Sequence, residues 1–346
     1  MSSLRIPEDV KLVALHNRDS YVSELVDHGV SVIVPAYNEE GNIRKLYEEL
    51  VDVLCPLRLP WELIFSDDGS TDGTWQVITE LAEEDPRISG IRLSRNFGHQ
   101  RALLAGLRCA RGAAIVSMDA DLQHPPPAIS GLVAEWRNGN KIVKTVRIDS
   151  ADTSTLKRLT SRWYYRLFTW LSGVPLQPGM ADFRLLDRAV LDHILRFPEE
   201  GLFLRGIVEW VGYRSATVAY ECRDRFTGST KYSVKKMVRF AWEGISSFSI
   251  VPLRLAAFVG FVASGMSFFA VVYAMYVKVV AGHAVPGWTS SVAIVAFLFG
   301  ILFVILGLLG EYVGRILLEV RRRPRFLVSE SLGIDESVAT KLRALE

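Results

Sequence analysis

Ala114-Ile-Val-Ser-Met-Asp-Ala-Asp-Leu-Gln-His-Pro-Pro126 opens as an apolar, β-branched run and breaks at once into two carboxylates. The run Ala114–Met118 reads as a buried strand, and the break as its carboxyl end. Residues two apart in extended chain face the same way, so Asp119 and Asp121 are expected to converge. Like charges that close raise each other's pKa unless a cation separates them. A divalent ion with few, hard oxygen ligands suits the pair: Mg²⁺ or Mn²⁺, shared with a phosphate-bearing substrate, with Gln123 offering one more oxygen. A bare Asp-x-Asp is a common and usually solvated motif. Its place directly after an apolar strand gives it weight.

The same alternation runs upstream. Val30–Val34 is a β-branched run stopped by Pro35, and Ile43, Leu46, Leu50 and Leu54 then recur at helical spacing, predicting a helix over 39–54. Trp61–Phe65 is a second strand, broken by Ser66-Asp67-Asp68-Gly69-Ser70. Asp72 can cap a helix whose inner face is Trp75, Ile78, Leu81 and Ala82. Ile88–Leu93 is a third strand, followed by a helix to about Cys109. Strands alternating with helices imply an α/β sandwich with a mostly parallel sheet, whose ligands bind beyond the carboxyl ends of the strands. The polar clusters Pro35–Glu39, Asp67–Ser70 and Asp119–Gln123 all fall there. They make sense as a nucleotide pocket, with Tyr37 against a base and Asp67 or Asp68 accepting from base or ribose. Asp67–Asp72 could equally just turn the chain and cap the next helix. Neither GxGxxG nor a Walker P-loop is present, and there is no HExxH or GxSxG.

The 346 residues carry 40 Lys plus Arg against 38 Asp plus Glu, a formal charge of +2, which argues against a nucleic-acid binder. Mean hydropathy is +0.21, high for a soluble enzyme, and the excess sits near the C-terminus. Leu255–Val277 is a run of 23 residues without Asp, Glu, Lys or Arg, and Val279–Gly310 has none either. Each run exceeds the roughly 20 residues that cross a bilayer core. Lys231, Lys235, Lys236, Arg239 and Arg254 precede the first; Arg315, Arg321, Arg322, Arg323 and Arg325 follow the second, and the loop Gly282–Trp288 has no Lys or Arg. By the positive-inside rule both ends face the cytoplasm, giving a multi-pass protein of the cell membrane with a cytoplasmic catalytic domain. Lys231–Ile245 reads as a basic amphipathic helix in the lipid interface. Cys55, Cys109 and Cys222 lack metal-ligand spacing. The expected organisation is an extension at 1–29, a catalytic domain at 30–230, an interfacial helix at 231–250, two spans within 251–315 and a basic tail at 316–346.

Pro35-Ala-Tyr-Asn-Glu39, Asp67-Asp-Gly-Ser-Thr-Asp72, Arg95-Asn-Phe-Gly-His-Gln100 and Met118–Pro126 together resemble the family 2 glycosyltransferases of GT-A fold. More narrowly they resemble the polyprenyl-phosphate glycosyltransferases, a group that includes bactoprenol glucosyltransferases and dolichol-phosphate mannose synthases. The resemblance continues through Ala181–Asp187, Arg225–Tyr232 and Glu311–Arg315, covering roughly residues 30–325. It implies that Pro35, Ala36, Tyr37, Glu39, Asp67, Asp68, Gln100, Asp119 and Ala120 hold the donor nucleotide. It implies a metal at Asp119 and Asp121 with Gln123, Asp182 and Asp121 as catalytic carboxylates, and the acceptor phosphate at Arg147, Arg225 and Lys231. It further implies a homo-oligomer that moves a hexose, glucose, from a UDP-sugar to undecaprenyl phosphate. Two departures bear on the sugar: Gly179-Met-Ala-Asp182 where many relatives have Ala-Gly-Asp, and His99-Gln100 where some have Lys-Glu.

The chemistry of the residues agrees. A phosphomonoester is already an anion near pH 7, since its second pKa is about 6, so it can attack an anomeric carbon with little need of a strong base. The departing nucleoside diphosphate is the difficult group, and a metal would neutralise it. Asp182 could orient the acceptor, stabilise charge at the anomeric centre, or simply pair with Arg184. Alternatives are a GDP-mannose-dependent mannose synthase or a non-catalytic membrane scaffold. A processive polysaccharide synthase fits less well: it needs QxxRW, and Leu159 stands in the Gln position before Arg162-Trp163.

Overall fold

The structure, a computed structural model, describes residues 18–148, 180–199, 204–221, 251–280 and 287–335. The chain divides into two compact units. The larger holds the described residues before Val251 and after Arg322, and the smaller is the helical segment between them.

Four strands, β1 (Val30–Ala36), β2 (Trp61–Asp67), β3 (Ile88–Leu93) and β4 (Ala114–Ser117), run parallel, as the alternation with helices requires. They are buried along nearly their whole length, which is why their sequences are continuously apolar and not alternating. The first helix, α1 (Arg18–His28), lies in the stretch expected as an extension. Leu25 is fully buried, and Tyr21 Oη donates to the Trp61 carbonyl at 2.7 Å while accepting its N–H at 3.0 Å. Helix α2 (Glu40–Leu54) buries Ile43, Leu46, Tyr47, Leu50 and Leu54, the face its spacing predicts. Helices α3 (Thr74–Glu84), α4 (His99–Cys109) and α5 (Ala128–Arg137) follow β2, β3 and β4. Asp72 stands just before α3, its Oδ1 accepting the Thr74 N–H at 3.1 Å.

Strand β5 (Ile142–Ile148) and strand β6 (Met180–Asp187) complete the site edge, β6 running antiparallel to both β4 and β5. Helices α6 (Arg188–Leu195) and α7 (Leu204–Trp210) lead to β7 (Ser215–Glu221), parallel to β5. Eight strands form one sheet in the order β7-β5-β6-β4-β1-β2-β3-β8. The last of them corrects the expected plan. Residues 316–346 are not simply a basic tail: Val328–Leu332 is β8, antiparallel to β3, and Arg111 reaches Asp335 at 3.3 Å.

The smaller unit contains α8 (Val251–Val280) and α9 (Trp288–Arg321), which pack on each other. Both are long and apolar enough to cross a membrane, over Val251–Tyr273 and Phe297–Arg321. Many of their large apolar side chains are exposed, Phe261 by 79% and Val304 by 74%. Helix α9 runs six residues past the expected end of the membrane domain at Arg315. The expected interfacial helix, together with Arg225 and Lys231, lies outside the described residues.

Candidate active site

The carboxyl ends of β1, β2 and β4 meet the amino end of β6 at one edge of the sheet. Ser117 is the last pair of β4 with β6, opposite Arg184. The Ser117 hydroxyl ties the two strands by donating to the Asp182 carbonyl, and just beyond β4 the His99 ring stands near both the Asp119 and Asp182 carboxylates. Two acidic residues 63 positions apart in sequence are thus brought to one end of the sheet because β6 enters it antiparallel.

Asp182 is almost completely buried and holds its charge through four donors. Arg205, from the first turn of α7, grips it with both arms of its fork, Nε at 2.9 Å and Nη2 at 2.7 Å. Arg184, itself buried, donates to Oδ1, and Gln100 Nε2 donates to Oδ2 at 3.3 Å. His99 Nε2 stands 3.5 Å from Oδ2 and 3.4 Å from Asp119 Oδ1, bridging the two carboxylates. Burial alone would raise the Asp182 pKa. The His99 contact and the two guanidinium groups overcome it and hold the carboxyl well below its usual range. For His99 burial opposes protonation, yet the neighbouring Asp182 and Asp119 carboxylates raise its pKa. A carboxylate so saturated is an anchor for cations and a poor proton acceptor.

Asp119 and Asp121 sit on a bend beyond β4, which ends one residue earlier than expected, so their arrangement is set by the bend and not by strand pleat. His124 sets it. Its Nδ1 accepts the Asp119 N–H at 3.1 Å, and its ring is stacked on Phe183 (5.1 Å between centroids) and edge-on to Tyr220. Leu122 takes a left-handed φ of 60°, and Asp121 Oδ1 accepts the Gln123 N–H at 3.2 Å. Asp119 Oδ1 is buried without a hydrogen-bond partner, and so is Gln100 Oε1. Among the described residues, no three His, Cys, Asp or Glu side chains converge as a ready-made metal cage. Two hard carboxylates, with Asp119 Oδ1 faced by His99 at 3.4 Å but not hydrogen-bonded, fit an ion of the Mg²⁺ or Mn²⁺ type that fills the rest of its shell from substrate oxygens.

On the other side of the edge, the β1–β2 register pairs Pro35 with Ser66 and Ala36 with Asp67, and the Asp68 N–H donates to the Ala36 carbonyl at 2.9 Å. Tyr37, 44% exposed, follows directly. Asp67 is fully buried. Its Oδ1 accepts the Ser70 N–H at 3.0 Å, whereas Oδ2 has no hydrogen bond. Burial raises the Asp67 pKa, and the hydrogen bonding of Ser70, followed by the charge of Arg92 3.4 Å away, pulls against that rise. Asp68 has a different job: it accepts the N–H groups of Phe97 (2.7 Å) and Gly98 (2.9 Å), tying the loop that starts α4 and thereby placing His99 and Gln100. Gly69 makes this closure possible. Its φ is +69°, and a Cβ there would stand 2.6 Å from the Arg95 carbonyl carbon. Glu39 is engaged locally, accepting from Asn42 Nδ2 at 2.6 Å while its N–H donates to Thr74 Oγ1. Ala120 is buried on the bend.

Arg147 is exposed near the carboxyl end of β5, at the same sheet edge. Arg205 and Arg92 belong to no motif, whereas His124 and His99 lie inside the motif stretches Met118–Pro126 and Arg95–Gln100 without a role that the sequence assigns them. The Arg184 pairing considered for Asp182 is present, but as one of several.

The glycosyl transferase family 2 model matches residues 31–195. The uncharacterized glycosyltransferase YkcC of Bacillus subtilis (strain 168) is 39% identical over 305 residues, covering 88% of this chain and 94% of that one. The prophage bactoprenol glucosyl transferase homolog of Escherichia coli (strain K12) is 36% identical over 299 residues, covering 86% and 98%. Among solved structures, glucosyl-3-phosphoglycerate synthase from Mycobacterium tuberculosis, in complex with Mn²⁺ and UDP-glucose, aligns with a TM-score of 0.41 at 21% identity, covering 66% of this chain and 80% of that one. With relatives of this identity extending over nearly nine-tenths of its length, the chain belongs to glycosyl transferase family 2.

Proposed function

We propose that the chain transfers glucose, with inversion, from UDP-glucose to a polyprenyl phosphate at the cytoplasmic face of the cell membrane. The observation that carries this reading is the Asp119–His99–Asp182 constellation, a cation-rich anionic site at the end of β4 in which Asp182 is saturated by donors and is no general base. An acceptor that arrives as an anion needs none. Arg205 and Arg184 hold Asp182 ionised, so its negative field is available to positive charge developing at the anomeric carbon. His99, between the two carboxylates, is placed to donate to a donor phosphate oxygen or a sugar hydroxyl. Asp67 Oδ2, buried and idle, would accept from the nucleobase, with Tyr37 against its face. Asp119, Asp121 and Gln123 would hold Mg²⁺ or Mn²⁺, whose chemistry there is neutralisation of the leaving diphosphate. Arg147, Arg225 and Lys231 are the cations proposed for the lipid phosphate.

The bactoprenol name of the E. coli relative supports the lipid acceptor. The sheet supports the topology. The pairing of β3, before the apolar helices, with β8, after them, supports the reading that both ends of the helix pair lie on one side of a bilayer. The test is a donor panel. Full-length protein in detergent, given undecaprenyl phosphate and radiolabelled UDP-glucose, UDP-N-acetylglucosamine or GDP-mannose, should move label into the organic phase from UDP-glucose. Transfer from GDP-mannose alone would make the chain a mannose synthase, and transfer from none would favour the scaffold reading.

A further inference from the structure

Strand β8 comes from beyond the apolar helices, yet one of its side chains reaches toward the donor pocket. Glu330 accepts from Arg92 Nη1 at 2.9 Å through Oε1 and from Trp75 Nε1 at 3.0 Å through Oε2. Arg92 continues the line: its Nη2 donates to the Ser70 carbonyl at 3.3 Å, and its Nε lies 3.4 Å from Asp67 Oδ2. The guanidinium is thus near enough to act on Asp67 by charge, and too poorly placed to take up the hydrogen-bonding capacity of Oδ2.

We infer that Glu330 is a positioning residue for the donor site, holding Arg92 back so that Asp67 Oδ2 stays open to the donor. The inference rests on the proposed role of Asp67. Its physical basis is a competition for one guanidinium. Arg92 has two carboxylates to choose from, one buried and one on the exposed edge strand. Without Glu330, only the long contact of Arg92 Nη2 with the Ser70 carbonyl and the Trp75 ring beside it restrain the guanidinium, leaving it freer to swing onto Asp67 and form the bidentate pair that guanidinium and carboxylate favour. Such a pair would occupy the oxygen the nucleotide needs. Without Arg92, the opposite fault appears: Asp67 remains open but loses the cation that lies 3.4 Å from Oδ2 and helps, after the Ser70 contacts, to offset its burial. Both faults weaken donor binding, and neither touches the acceptor.

The arrangement also gives the post-membrane segment a reason to return to the sheet. Ser329 Oγ donates to the Arg92 carbonyl at 3.1 Å, so β8 fixes both the backbone and the side chain of the same residue.

The experiment uses full-length protein in detergent, titrated with UDP-glucose by calorimetry, with steady-state KM values for UDP-glucose and undecaprenyl phosphate and a thermal melt. Glu330→Gln is expected to weaken UDP-glucose binding about two- to fivefold, the range of a partly exposed ion pair, with the lipid KM unchanged. Arg92→Gln is expected to weaken it too, and adding Glu330→Gln to Arg92→Gln should cost nothing more, because the second change acts only through the first. A purely structural Glu330 would lower the melting temperature and leave donor affinity alone, or add its full effect in the double variant; either result overturns the inference. Asp67→Asn separates the two levels. If it leaves UDP-glucose binding intact, the donor role of Asp67 falls and the inference with it. If it abolishes binding while Glu330→Gln changes nothing, only the inference falls.

Discussion

Replacing Asp182 by Asn should unfold the site before it slows the chemistry. The carboxylate is 3% exposed, and Arg184 beside it is equally buried. The Asn amide keeps the size of the side chain but removes the charge that Arg184 and Arg205 share. Breaking a buried pair by deleting one partner costs about 3–5 kcal/mol, because the other charge is left unpaired in low dielectric. For a cooperative unit of 150–250 residues that is a fall of about 6–20 °C in melting temperature. The depressed Asp182 pKa fixes the pH at which this holds. The stabilisation is present in full above the unfolded carboxyl pKa, including at neutral pH, and is lost as pH falls through the folded value. Differential scanning fluorimetry of the full chain in detergent reads the shift. The double variant Asp182→Asn, Arg184→Met removes the fully buried one of the two orphaned charges, leaving Arg205, which is partly exposed to solvent, and should recover most of the melting temperature while transfer stays abolished. A single variant that melts like the wild type would show that the cluster is not a buried ion network. A double variant that regains turnover would remove Asp182 from the chemistry.

Three further outcomes are expected. Asp121→Asn should abolish transfer and leave the melting temperature little changed, since the side chain is only partly buried; near-normal turnover of the wild type in excess EDTA would dismiss the metal. Gly69→Ala should destabilise the turn by at least 1–2 kcal/mol, roughly the cost of a side chain in left-handed backbone, and weaken UDP-glucose binding through the loop that Asp68 ties; an unchanged melt would contradict the closure at Arg95. A cysteine placed near His283 should react with an impermeant thiol reagent from outside intact cells and one near Arg322 should not, and the reverse pattern would invert the topology.

The parallel half of the sheet was legible because buried parallel strands write continuous apolar runs, and the motif residues Asp67, Asp119 and Asp121 fall where those runs stop. Boundaries shifted by a residue or two where chain leaves a strand through a turn, as at Ser117. What periodicity does not report is long-range pairing. Strand β8 is Val-Ser-Glu-Ser-Leu, five residues with polar edge character, and nothing local marks it as a partner for β3. Helix α1 is similarly polar, and only Tyr21 and Leu25 anchor it. In the site, Asp182 was visible as a motif carboxylate, but Arg205 arrives from a helix that the fold swings over it. Asp68 looked like a second donor ligand because it adjoins Asp67; the backbone N–H groups of Phe97 and Gly98 that claim it belong to a loop 29 residues on.

The configuration of the transferred sugar bears on every part of this reading at once. Direct attack by an anionic lipid phosphate on UDP-α-glucose, with Asp182 held as a cation-saturated carboxylate, must give a β-linked glucosyl phospholipid. The coupling constant of the anomeric proton in the extracted product distinguishes the two anomers. A β-linked product is expected; an α-linked one would require a covalent intermediate or a different mechanism, and free glucose without glycolipid would mean that the chain has no lipid acceptor at all.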